Sequence, residues 1–67
     1  MTLKDLRKSH AYTQDDLARA IGVKQATIAM WENGKAMPTM KNLISLSEAL
    51  GETLNACFDA IRETQAR

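Results

Sequence analysis

A chain of 67 residues has room for one domain with a small core, and its formal net charge of +1 excludes the overall basic excess typical of proteins coated in phosphate contacts. Its one cysteine, Cys57, cannot close an internal disulfide, and Cys57 with the one histidine, His10, supplies too few ligands for a structural zinc site. No apolar run approaches the roughly 20 residues of a membrane span, and residues 1–11 lack the apolar stretch of a secretory signal, so the expected compartment is the cytoplasm.

The charge is unevenly spread. Residues 1–41 carry seven Lys or Arg against four Asp or Glu, while residues 42–67 carry two against four. A basic front with an acidic tail suits a chain that turns one side toward a polyanion.

In chain order, Thr2 ahead of Leu3, with Asp5 three positions on, predicts a capped first helix running to about Ser9. Thr13 and Asp16 repeat the device. Leu17, Ala18 and Ile21 follow at helical spacing until Gly22, a residue suited to a left-handed helix end. The third helix is expected over 25–33, with Ile28 and Trp31 on one face and Gly34 as its stop. Pro38 prevents its continuation, Thr39 can cap a fourth helix, and there Leu43, Leu46 and Leu50 recur at i, i+3 and i+7 before Gly51. Thr53 can cap a fifth helix over 54–65, with Leu54, Cys57, Phe58 and Ile61 on one stripe, and Ala66 and Arg67 are expected to fray. The expectation is an all-α chain forming a single domain over 1–67.

Residues 13–34 read as a capped helix of about two turns, a glycine-centred turn and a second short helix, the layout of a helix-turn-helix. In that layout the first helix crosses a DNA backbone and the second enters the major groove, where each base pair presents a distinct set of donors and acceptors.

The residues carry more than the spacing does. Leu6-Arg7, Thr13-Gln14, Leu17-Ala18, Ile21-Gly22-Val23, Ile28, Trp31-Glu32-Asn33-Gly34-Lys35, Pro38, Leu43, Leu46 and Leu50-Gly51, spread over roughly 3–58, together resemble the lambda repressor and Cro (Xre) type of helix-turn-helix protein. The resemblance implies a five-helix lambda repressor-like DNA-binding domain whose helix-turn-helix is made by helices 2 and 3. It implies that Gln14 holds a DNA phosphate and braces the recognition helix, and that Lys24, Gln25, Ala26, Thr27, Ala29 and Met30 face the groove. Gln25 is the best direct reader among them, because a glutamine amide pairs with adenine in a bidentate fashion, while Ala26 and Thr27 offer methyl contacts to thymine. Thr13, Gln14, Asn33, Lys35 and Lys41 are the implied phosphate contacts, which fix register without reading sequence.

Other residues take structural readings. Arg7, matched in the family by a partner at the position of Glu32, is expected in an ion pair rather than on a phosphate. Trp31 shares a face with Ile28 and is expected in the core, and Met30 is open between packing and a thymine-methyl contact. His10 reads as a solvated loop histidine, Cys57 as a small hydrophobe, and Asp15 and Asp16 as charges at a helix N-terminus. Neither aspartate faces the other, so paired acid and base chemistry is not expected.

One recognition helix spans few base pairs, so specificity is expected from a homodimer on half-sites roughly 34 Å apart. Leu54, Asn55, Phe58 and Ile61 are the candidate two-fold contact. The leading expectation is a sequence-specific regulator on double-stranded DNA, a repressor of bacterial or phage kind. Its rival is a protein-contact module of the same fold, antitoxin-like or bridging. No nucleophile with a base, metal cluster or phosphate loop is legible, so no enzyme, metal, cofactor, small-molecule ligand or membrane partner is expected.

Overall fold

In the computed structural model, which describes residues 1–66 and leaves Arg67 outside the described residues, four of the five helices start on a threonine. At α1 (Leu3–Ser9) the Thr2 hydroxyl accepts the Asp5 N–H at 3.2 Å, and the Asp5 carboxylate accepts the Thr2 N–H at 3.1 Å. Thr13 and Asp16 make the same reciprocal pair at α2 (Gln14–Ile21), at 3.0 and 3.4 Å. Thr39 opens α4 (Met40–Leu50) and Thr53 opens α5 (Leu54–Gln65), each by accepting one backbone N–H. Each such cap satisfies helix donors that would otherwise lack a partner, typically for about 1 kcal/mol. Only α3 (Gln25–Glu32) begins without a side-chain cap, at Lys24.

The turn between α2 and α3 depends on Gly22, whose φ of 77° is left-handed and lets the Val23 N–H reach back to the Ala18 carbonyl at 3.0 Å. A Cβ there would meet nothing within 4 Å, so the backbone conformation, not space, demands glycine. Gly34, at φ 73°, ends α3 in the same way, with Lys35 N–H on Met30 O at 2.9 Å. The helix itself closes at Glu32 with Asn33 as its cap, one residue short of the expected 25–33. α1 wraps up with an alanine in the equivalent place: Ala11 sits at φ 62°, and the Tyr12 N–H reaches Arg7 O at 3.3 Å.

Every helix contributes to one core. Leu3 and Leu6 of α1, Leu17 of α2, Ile28 and Trp31 of α3, Leu46 of α4 and Ile61 of α5 are all buried. α2 packs on α3 and α4, while α5 lies against α1, α3 and α4. The far end of α5 is tied down as well. Thr64 Oγ1 accepts the Leu3 N–H at 2.9 Å, the Gln65 amide donates to Ala36 O at 3.2 Å, and Ala66, expected to fray, bonds back to Arg62 O at 3.1 Å.

Two expectations need correcting. The stripe of Leu54, Cys57, Phe58 and Ile61 divides: Cys57 and Ile61 point inward at 0% and 1% exposure, whereas Leu54 and Phe58 stand out at 39% and 44%. The inner face is completed by the small residues Ala60 and Thr64, so it is centred away from Leu54 and Phe58. Ile61 is therefore core and unavailable to a surface two-fold contact. His10 is not simply solvated either, because its Nε2 lies 2.6 Å from Glu52 Oε2 and bridges the α1–α2 loop to the α4–α5 turn.

Candidate nucleic-acid interface

α3 has only eight residues, about 12 Å of helix, comparable to the width of a DNA major groove. Burial of Ile28 and Trp31 on its inner side fixes its rotation. Of the six residues expected to face a groove, Lys24, Gln25, Ala26 and Met30 are exposed, and Thr27 and Ala29 lie half-buried on the flanks. Met30, left open between packing and surface by sequence, is 43% exposed. Trp31, at 3%, is packed inside and cannot stack on a base.

Behind this edge lies a buried ion pair. Arg7 Nε stands 2.6 Å from Glu32 Oε2 and Arg7 Nη2 stands 3.1 Å from Glu32 Oε1, a two-pronged contact with both side chains nearly out of solvent. The remaining prong of the guanidinium donates to Tyr12 O at 2.8 Å. Buried charges are tolerated when their donors and acceptors are this fully met, and among the described residues no buried side-chain polar atom lacks a partner.

Gln14 joins this pair to α3. Its Nε2 donates to Glu32 Oε1 at 3.0 Å, and its Oε1 accepts from Gln25 Nε2 at 3.4 Å. Thus the expected ion pair of Arg7 and Glu32 and the Gln14 expected to brace the third helix join with Gln25 in one continuous network. The other candidate phosphate contacts stand around it without joining it: Thr13 is exposed with its hydroxyl capping α2, Asn33 and Lys35 are exposed just past α3, and Lys41 is exposed in the first turn of α4.

Sequence reading missed two supports of this arrangement and the partner of a third. The Tyr12 carbonyl completes Arg7, the Tyr12 hydroxyl donates to Ala49 O at 3.2 Å, and Gln14 touches Glu32. The first and second act through backbone carbonyls, which no residue identity advertises, and the third joins positions 18 residues apart. Elsewhere, burial raises the Cys57 thiol above its ordinary pKa, with a smaller push from the Glu52 charge. Among the described residues there is no enclosed pocket, no group of three metal-ligating side chains and no helix long and apolar enough to cross a membrane.

The pattern of one family, described as helix-turn-helix, matches residues 3–56. The chain belongs to that family. Within it, the chain is of the lambda repressor and Cro (Xre) type. It is similar to the HTH-type transcriptional regulator DicA of Escherichia coli, 41% identical over 44 residues that make up 66% of this chain and 33% of DicA. It is similar also to the antitoxin HipB of Escherichia coli, 33% identical over 55 residues, 82% of this chain and 62% of HipB. A third relative is the cryptic phage CTXphi transcriptional repressor RstR of Vibrio cholerae, 35% identical over 48 residues, 72% of this chain and 43% of RstR. The chain thus spans less than two thirds of each of these three relatives. No solved structure gives a significant match.

Proposed function

We propose that this chain is a sequence-specific regulator of transcription that binds double-stranded DNA, a repressor that lays α3 in the major groove of a short palindromic operator as a homodimer. The observation that carries this reading is the outer edge of α3. Lys24, Gln25, Ala26 and Met30 are open to solvent, while the same helix is braced from behind by the Gln14 and Glu32 contacts. Gln25 reads a base, Ala26, Thr27, Ala29 and Met30 line the groove by apolar contact, and Lys24 stands at its entry. Thr13, Gln14, Asn33, Lys35 and Lys41 hold phosphates. The names of DicA and RstR support a regulator and a repressor. Exposed Leu54 and Phe58, with exposed Asn55 between them, supply the two-fold contact.

The test is selection of bound duplexes from a random pool, followed by salt titration. A palindromic consensus is expected. Gln25→Ala should relax preference at one base per half-site, whereas Lys35→Ala should weaken all duplexes alike and lower the salt slope by about 1 per site. Equal losses and equal slopes for the two variants would refute this division of roles, and no duplex binding at low salt would refute DNA recognition. In that event a second reading gains ground, a protein-contact module that uses the exposed Leu54 and Phe58 of α5, to which the similarity to the antitoxin HipB lends support. Sedimentation separates the two uses of α5, since a monomer at all concentrations, with and without DNA, removes the homodimer.

A further inference from the structure

We propose that Glu32, although it lies inside the domain and outside the reading edge, is a positioning residue that sets which base Gln25 prefers; this rests on the DNA-reading role of α3 proposed above.

A glutamine amide has a donating end and an accepting end of nearly equal shape, and what decides which way it points is the chemistry of its neighbours. Gln14 has a neighbour that leaves no choice. The ionised Glu32 carboxylate, already clasped by Arg7 at 2.6 and 3.1 Å, can only accept, so the amide of Gln14 must turn its NH2 toward Oε1, where it lies at 3.0 Å. The Gln14 carbonyl then faces the other way, toward α3. A carbonyl is again acceptor-only, so Gln25 in turn must direct its NH2 to Gln14, at 3.4 Å. Polarity is thus handed from a buried charge through two amides to the exposed first residue of α3.

What remains outward on Gln25 is its Oε1 and the second hydrogen of its Nε2, one acceptor and one donor. That pair matches adenine, which presents the N7 acceptor and the N6 donor in the major groove, and does not match guanine, whose N7 and O6 both accept. Were the relay reversed, Gln25 would give its carbonyl to Gln14 and present two donors, the set that suits guanine. The last link is the longest of the chain, which leaves Gln25 room to settle on a base while keeping its orientation.

The experiment compares base preference, not affinity, because a role limited to stability would lower binding to all sequences together. Glu32→Gln replaces the acceptor-only group by one that can donate. It is expected to reduce the preference for adenine over guanine at the Gln25 position by about fivefold or more, the low end of what a bidentate base contact contributes. Gln14→Met, which leaves the Arg7 pair in place and removes the middle amide, is expected to reduce the same ratio and keeps the test alive if Glu32→Gln fails to fold. An unchanged ratio in a folded Glu32→Gln or in Gln14→Met overturns the proposal. Side-chain amide NMR of the DNA-free protein separates this failure from failure of the DNA reading. The Gln25 NH2 resonances should move in both variants even if no duplex is bound, and their constancy overturns the relay on its own.

Discussion

The two surfaces that matter most, the outer edge of α3 and the outer edge of α5, are left open by different means. Behind α3 the support is polar: a clasped ion pair and two glutamine amides reach from the interior to Gln25. Behind α5 it is apolar, with Cys57, Ala60 and Ile61 packed against the core and Leu54 and Phe58 left over on the rim. A hydrogen-bonded support fixes the direction of each group it touches, which suits a surface that must present particular donors and acceptors. An apolar support fixes the helix and leaves its outer side chains only an area to offer.

That contrast can be broken first on the polar side. Arg7→Met leaves Glu32 buried without its cation, and removing one partner of a buried pair costs about 3–5 kcal/mol. A chain of this size has a total stability of comparable order, so urea or thermal denaturation should find the variant largely unfolded. The double change Arg7→Met with Glu32→Leu should recover a large part of the loss, because the desolvated charge goes with it. If the single change were as mild as an exposed substitution, the pair would not be the internal support described here.

On the apolar side, Ile61→Ala and Phe58→Ala separate the two faces of α5. Ile61→Ala empties a fully packed site and should cost about 2–4 kcal/mol in a denaturation experiment. Phe58→Ala should cost less than about 1 kcal/mol, since the ring is 44% exposed and meets the Arg62 guanidinium at 5.9 Å from its centre. Self-association should respond in the opposite order, with Phe58→Ala shifting sedimentation toward monomer. Equal losses of stability would place both residues on one face, as the sequence stripe first suggested.

Cys57 gives the inner face a pH reporter. Burial, aided by the Glu52 charge, makes the folded thiol hold its proton more tightly than the unfolded one, whose ordinary pKa is 9.0. A folded pKa raised in this way gives stability that is complete below the unfolded value and declines as pH climbs past it. The wild type should therefore lose stability above about pH 9 relative to Cys57→Ala, and alkylation of Cys57 at neutral pH should be slow and limited by opening of the fold. Fast alkylation of the native protein would contradict the packing of α5.

The helix starts were legible in the sequence because they are local. A threonine and an acid three residues on satisfy each other whatever lies elsewhere, and the same holds for a left-handed glycine that ends a helix. The Arg7 and Glu32 pairing was legible only through a family resemblance, since no periodicity connects positions 25 apart. The inward turn of Ile61 was missed because large apolar residues were counted and small ones were not. Ala60 and Thr64 complete the buried face without announcing themselves as hydrophobic. That Gln14 braces α3 was likewise implied only by the resemblance, and its partners and the direction of its amide were not legible, because amides carry no directional signal until a fold gives them neighbours.

The smallest expected effect concerns a local signal that is absent. Just past α1 the chain turns through Ala11 in the left-handed region, at φ 62°, where an L side chain costs about 1–2 kcal/mol relative to glycine. Glycine would relieve that strain and at the same time loosen the unfolded chain by about 0.4–1 kcal/mol. The two terms oppose each other with strain the larger, so Ala11→Gly should stabilise the protein by about 0.5 kcal/mol, readable as a small rise in Tm. The turn it relieves carries the Tyr12 carbonyl that holds Arg7, so the gain should vanish in the folded Arg7→Met, Glu32→Leu background if that contact is what forces alanine into the conformation. Persistence of the full gain there would show instead that the short connection between α1 and α2 imposes it.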